Sequence, residues 1–240
     1  MLQSLKQLYG KELAATDASL GQVKDFYFDD QNWAVRYVIV DTAKWLPGRH
    51  VLLSPQAFGQ LSLAGKAIAV NLTRVKIEGS PPIEAHKPVS RQYEDDYHRY
   101  YGWPSYWENE GLLGGLHKFP ILETPPKTAS GQSAATIDRA NTHLRSTQAV
   151  SGYHIMATDG ITGHVCDFMM DPESWVIHQL IVKTGHRFTG KEVQIPVNLV
   201  ERISYTESTV FVNLTRQAIE NSLEHLLISE AKVEPSTFTL

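Results

Sequence analysis

The sequence holds a single cysteine, Cys166, so no internal disulfide framework can form. No apolar run approaches the roughly 18–20 residues that cross a bilayer as a helix. The opening residues, Met1-Leu2-Gln3-Ser4-Leu5-Lys6, lack the apolar core of a signal peptide. A cytoplasmic protein without a transmembrane segment is expected. A basic excess is missing too: 22 Lys and Arg face 26 Asp and Glu, for a net charge of −4. The balance is +2 over residues 1–80, −2 over 81–142 and −4 over 143–240. No segment carries the basic footprint of a dedicated nucleic-acid binder, and no nucleic-acid partner is expected. The sequence also has no glycine-rich phosphate loop, no Gly-x-Ser-x-Gly elbow, no His-Glu-x-x-His and no Cys-x₂-Cys pair. Neither a catalytic residue nor a cofactor can be assigned from motifs.

What the chain does have is one pattern written twice. Ala15-Thr16-Asp17, Gly21-x-Val23-x-Asp25-Phe26, Asp29, Trp33, Val38-Ile39-Val40 and Thr42 return as Ala157-Thr158-Asp159, Gly163-x-Val165-x-Asp167-Phe168, Asp171, Trp175, Leu180-Ile181-Val182 and Thr184. Both copies close on Val-Asn-Leu-Thr-Arg, at 70–74 and 212–216. The offset is 142 residues throughout, and 24 of 71 positions agree between 10–80 and 152–222 without a gap. An internal repeat of this kind decides the architecture before any local reading. It divides the chain into two modules too small to bury a large core alone.

Strand signals dominate each copy. In the first, Gln22–Phe28 alternates, and Trp33–Thr42 is rich in β-branched and aromatic residues. Tyr37–Val40 is apolar on both faces, which predicts a central strand. Arg49–Leu53 follows, Ser54-Pro55 opens a helical turn, and Gln60–Leu63 and Ala67–Leu72 read as a hairpin. About six short strands with turns every 8–12 residues predict a small barrel or sandwich. The middle of the chain differs. Arg91–Tyr101 reads as a helix with Ser90 as N-cap and Glu94 near the capping-box position. Tyr93, Tyr97, Tyr100 and Tyr101 form a stripe on it, and Trp103, Tyr106 and Trp107 continue the aromatic cluster. So many rings must cover a barrel or meet another chain. Beyond Trp107 the composition turns to Gly, Pro, Ser, Thr and Ala, as in a flexible linker. Gln217–Ile228 has helical spacing, with a frayed tail after it.

The Gly-x-Val-x-Asp-Phe strand, the Asp turn and Trp that lead into Val-Ile-Val, and the Val51-Leu-Leu-Ser-Pro55 run resemble the PRC-barrel family. That family is named after the cytoplasmic domain of the photosynthetic reaction-centre H subunit, and it includes the C-terminal module of a ribosome maturation factor. Pro88–Gln92 followed by Tyr100-Tyr101-Gly102-Trp103-Pro104 is similar to the extension of tandem PRC-barrel bacterial proteins. The resemblance implies an all-β fold with minor helix: two small six-stranded antiparallel β-barrels joined by an aromatic helix and a flexible linker. The corresponding segments are a first barrel at 1–80, the aromatic extension at 81–107, the linker at 108–142, a second barrel at 143–220 and a C-terminal helix or tail at 221–240. It implies a non-catalytic scaffold whose partner is another protein or a second copy, so a homo-oligomer is expected. Two other readings stay open: ligand or metal binding, or catalysis, at a cleft between the barrels, and association with RNA or the ribosome.

The repeated residues Asp17, Gly21, Asp25, Trp33 and Arg74, with Asp159, Gly163, Asp167, Trp175 and Arg216, read as structural. Turn aspartates accept backbone N–H groups, and the arginines suit a carboxylate partner or a barrel mouth. Trp45 and the aromatic residues Tyr93, Tyr97, Tyr100, Tyr101, Trp103, Tyr106 and Trp107 are the candidate interaction surface, since aromatic anchors dominate interfaces. Six histidines, His143, His154, His164, His178, His186 and His225, crowd the C-terminal part. Four of them replace Glu12, Gln22, Arg36 and Lys44 of the first copy, which predicts exposed strand positions, and their spacing does not support a structural zinc site.

Overall fold

The computed structural model describes residues 1–42, 45–46, 50–59, 61, 67–81, 89, 91–107, 144–185 and 190–222. The linker at 108–142, Ser90, Gly48, residues 60 and 62–66 of the expected hairpin, His143, His186 and His225 lie outside them. So do 43–44, 47, 49, 82–88, 187–189 and everything after 222. Thirteen strands are described. The first six are β1 (Gln3–Ser4), β2 (Glu12–Ala14), β3 (Ser19–Asp29), β4 (Ala34–Asp41), β5 (His50–Leu53) and β6 (Ala67–Ala69). The others are β7 (Leu144–Ser146), β8 (His154–Ala157), β9 (Gly160–Met170), β10 (Ile177–Lys183), β11 (Glu192–Pro196), β12 (Val200–Ser204) and β13 (Thr209–Val212). The longer helix, α2, spans Arg91–Tyr101, and a short α1 spans Arg74–Glu78.

The protein is mostly β, in two sheets. One has the order β5-β4-β3-β2-β6, the other β11-β10-β9-β8-β13-β12. Under the 142-residue offset the five strands of the first order correspond in turn to β11, β10, β9, β8 and β13 of the second, and β12 has no counterpart among the described residues. β4 and β10 are internal strands, which explains their unbroken apolar runs: Tyr37, Val38, Ile39 and Val40 are buried, as are Leu180, Ile181 and Val182. Two features differ from the antiparallel barrels expected. β6 runs parallel to β2, and β13 parallel to β8. The chain crosses from the β5 edge of its sheet to the β2 edge, and so arrives in the same sense as β2. Neither strand order returns on itself among the described residues, so both sheets are described as open.

The chain forms two compact units. One comprises residues 9–29 and 36–144. Its sheet buries Leu13, Leu20, Val23, Phe26 and Phe28 along β2 and β3. The other comprises 1–8, 30–35 and the chain from 145 onward. Residues 1–8 thus stand in the unit of the second repeat although they precede the first. β1 pairs with β9, with Gln3 opposite Met170 and Ser4 opposite Met169. The Leu5 N–H donates to the Phe168 carbonyl at 3.0 Å, and Leu5 and Leu8 are buried.

Residues 30–35 join the same unit by pairing with their own repeat equivalents. The Val35 N–H donates to the Trp175 carbonyl at 2.9 Å, and the Ile177 N–H donates to the Trp33 carbonyl at 2.7 Å. Ala34 and Val176 face each other between these bonds. Trp33 and Trp175 hold φ values of 55° and 60°. A bulky residue pays a steric cost in that left-handed region, so the same conformation in both copies marks a turn that the surrounding pairing fixes.

Candidate functional site

The aromatic segment builds its site on its own unit. α2 begins where the sequence predicts, and its Tyr97, 0 % exposed, packs with Tyr37, Ile39, Leu52, Val89 and Tyr101. The Tyr97 hydroxyl donates to the Leu52 carbonyl at 2.9 Å and accepts the Ser54 N–H at 3.1 Å. Both bonds fasten the helix to the end of β5. Burial pushes the Tyr97 hydroxyl well above the usual tyrosine range, with the neighbouring Tyr101 adding to it. Of the two fates open to these rings, Tyr97 and Tyr101 cover their own sheet and offer little to a partner. Trp103 stacks on Tyr101 with ring centroids 4.4 Å apart. Tyr93, Trp103, Tyr106 and Trp107 are half-buried, and Tyr100 is exposed. Tyr93 donates to the Pro81 carbonyl and Tyr100 to the Lys76 carbonyl.

Beneath the rings lies a polar chain. Glu94 is fully buried. Its Oε1 accepts hydroxyl protons from Tyr37 at 2.9 Å and Tyr106 at 2.6 Å. The Tyr37 hydroxyl also meets His98 Nε2 at 3.2 Å. His98 Nδ1 lies 3.1 Å from the Pro104 carbonyl, which can only accept, so Nδ1 bears a proton. If Tyr37 gives its one proton to Glu94, the Nε2 contact is made by an N–H. His98 then carries protons on both ring nitrogens and offsets the buried carboxylate. Burial first, and the Glu94 charge second, hold Tyr37 well above the usual range. Arg36 stands 3.9 Å over the Tyr106 ring and pairs with Asp29 at 3.2 Å. Glu94 was expected near a capping position and His98 drew no attention. The available signal was their spacing, since Glu94, Tyr97, His98 and Tyr101 share one helix face.

The repeated polar residues act on the backbone. Asp17 accepts the Arg74 N–H at 2.8 Å and Asp159 accepts the Arg216 N–H at 2.7 Å. In each copy these bonds join the first turn of a short helix whose N-cap is the motif threonine, Thr73 or Thr215. Asp171 accepts from the Ser174 hydroxyl and from the Glu173 and Ser174 N–H groups, which lowers its carboxyl. Asp25 and Asp167 are buried, and each accepts the N–H of the phenylalanine that follows it. Asp167 also accepts the Ser4 hydroxyl and the Lys6 N–H. It is the anchor that draws residues 1–8 into the second repeat's unit. Arg216 reaches Asp159 at 3.6 Å, and Arg74 stands 4.2 Å over the Trp45 ring. Trp45 itself donates its indole N–H to the Leu20 carbonyl at 2.7 Å.

Gly21 and Gly163 each permit a close approach. A Cβ on Gly21 would sit 2.0 Å from the Asp41 carbonyl oxygen, and one on Gly163 would sit 2.3 Å from that of Lys183. Their φ values are 124° and 60°. Beside each glycine a cleft opens. The first holds about 400 Å³ and is lined by Glu12, Gln22, Asp41, Trp45 and Arg74. The second holds about 450 Å³ and is lined by His154, Ile161, His164, Lys183 and Gly185. His154 and His178 are exposed and His164 is half-buried. Among the described residues no group of three or more His, Cys, Asp or Glu side chains could hold a metal ion. Cys166 is half-buried; burial, and then the Glu192 carboxylate, push its thiol up to about 12. No described helix is long and apolar enough to cross a membrane.

A search of curated proteins finds no match. Residues 3–77, the N-terminal third of the chain, match the family model of the PRC-barrel domain.

Proposed function

We propose that the protein is a non-catalytic scaffold in which two PRC-barrel modules in tandem associate with another protein or with a second copy of the chain. The observation that carries this reading is the PRC-barrel match over residues 3–77, since domains of that family serve commonly as interaction modules. The strand orders of the two repeats correspond, which supports reading 143–220 as a second module and 1–80 as the first. Closure of each sheet into a six-stranded barrel belongs to the same proposal. Closure would remove the open edges.

The candidate contact surface is the rim of the aromatic cap, where Trp103, Tyr106 and Trp107 remain half-buried and Tyr100 is exposed. Rings held this way offer large apolar area at little entropic cost. The test compares the whole protein with Tyr100→Ser and Trp107→Ser variants by light scattering across a range of concentration. Affinity capture with the same three proteins forms the second arm. A self-associating or partner-bound wild type and weakened variants support the proposal. A wild type that is monomeric throughout and captures nothing the variants do not capture overturns it.

A further inference from the structure

The two clefts beside Gly21 and Gly163 occupy the same place in the repeat and have opposite chemistry. Under the 142-residue offset Glu12 becomes His154, Ser19 becomes Ile161, Gln22 becomes His164 and Asp41 becomes Lys183. These are lining residues in both clefts. Glu12 and Gln22 are direct cross-strand partners on β2 and β3, and His154 and His164 are direct partners on β8 and β9. One wall of each cleft is therefore a pair of opposed side chains. The third group comes from the end of β4 or β10, where the glycine lets the backbone approach. The first cleft carries two carboxylates and the Arg74 guanidinium; the second carries two imidazoles and an ammonium.

We propose that the cleft of the second repeat binds a small oxyanion, of the sulfate, phosphate or carboxylate class. Three lines of chemistry favour an anion over a metal ion. Lys183 presents an ammonium to the same space as the two imidazoles, and an ammonium repels a cation. Among the described residues neither imidazole hydrogen-bonds to another side chain, and Lys183 forms no ion pair with Glu192, its cross-strand partner on β11. All three donors are thus available to a ligand. Three donors converging on a cleft of about 450 Å³ suit a ligand of a few heavy atoms. The charged groups facing the site are Lys183 and, beyond it, Glu192. From β13 the residue opposite His154 is the uncharged Thr209. This site is independent of the scaffold reading.

The experiment uses the whole protein and follows the imidazole C2–H resonances of His154 and His164 by NMR. Sulfate is the main probe because its charge is constant between pH 6 and pH 8. Acetate forms a second arm that separates a tetrahedral dianion from a carboxylate. The expected result is a saturable shift of both resonances with sulfate. His154→Glu with His164→Gln installs the residues that the first repeat already carries at these positions, so the fold tolerates them. That double variant, read by titration calorimetry alongside the wild type, and Lys183→Gln, read on the two imidazoles, should each weaken sulfate binding at least fivefold. Shifts that rise linearly without saturation, equal binding by the variants, or a response to zinc and to neither anion would each overturn the proposal.

Discussion

Glu94 is the residue on which the aromatic cap can be tested most sharply. Its carboxylate is fully buried and accepts protons from two tyrosines, Tyr37 and Tyr106. Glu94→Ala removes the carboxylate acceptor of the Tyr37 hydroxyl, which is 0 % exposed and keeps only its contact with His98 Nε2. Losing a buried hydrogen bond to a charged group costs about 1.5–3 kcal/mol. The half-buried Tyr106 can turn to water and adds less. The one lost methylene adds roughly 0.8 kcal/mol. The sum is about 2–4 kcal/mol, a fall in melting midpoint on the order of 10 °C for a chain of this size. Glu94→Gln keeps the shape and an accepting oxygen. It exchanges two charge-assisted bonds for weaker ones but also lifts the cost of burying a charge, so its effect is about 1–2 kcal/mol. The decisive variant is the double mutant Glu94→Ala with Tyr37→Phe. It removes the hydroxyl together with its carboxylate acceptor, so it should cost less than the sum of the single changes by at least about 1 kcal/mol. Chemical denaturation of the four proteins gives the cycle. A Glu94→Ala protein within about 0.5 kcal/mol of wild type, or strict additivity in the cycle, would refute the network.

Other perturbations follow from the same structure. Leu5→Ala should cost about 2–5 kcal/mol, although Leu5 lies at the chain's start, and Ser4→Ala about 1–3 kcal/mol through the bond to the buried Asp167. Faster hydrogen exchange at the Leu5 amide would be the local readout, and unchanged exchange and melting would show that residues 1–8 are not built into the unit. Gly163→Ala, blocked by the Lys183 carbonyl, should lose at least about 2 kcal/mol more than Gly152→Ala, whose added Cβ meets nothing within 4 Å; urea midpoints that coincide would contradict the close approach. Burial raises the Tyr37 and Tyr97 hydroxyls well above the usual tyrosine range, so the folded state holds their protons more tightly than the unfolded one. Their contribution is complete below pH 10 and declines as pH rises beyond it. Absorbance near 295 nm should show these two ionising only together with alkaline unfolding, and reversible ionisation in the folded protein would contradict their burial.

Much of this fold is written in short-range pattern, and the exceptions share a cause. The unbroken apolar run at Tyr37–Val40 and the β-branched content of Leu180–Val182 place two internal strands without any tertiary information. α2 is legible because eleven residues repeat an aromatic stripe at helical spacing. The helix Arg74–Glu78 is not, because five residues with one buried side chain, Ile77, carry no period. Its only local mark is Thr73, which reads equally well as the end of a strand. The parallel pairing of β6 with β2 depends on where a long connection lands, and no local window contains that. The same limit hid the anchor of residues 1–8, since Ser4 and Asp167 meet across 163 positions. Within the site, the rings were legible and the polar chain beneath them was not. A glutamate in an amphipathic helix is by default a solvated residue, and only the arrival of Tyr37 from β4 turns Glu94 into a buried acceptor.

Duplication makes these distinctions quantitative, because each repeat is a control for the other. Gly21 and Gly163 admit no side chain, since a Cβ would stand 2.0 or 2.3 Å from a carbonyl oxygen. That contact is with the backbone of Asp41 or Lys183, and it constrains nothing about their side chains. The same holds for the opposed pair on the neighbouring strands, where Glu12 and Gln22 or His154 and His164 face outward from an identical ladder. The backbone at this place is therefore fixed by sterics while its rim is free to change sign. An inversion from two carboxylates to two imidazoles and an ammonium then costs the fold little.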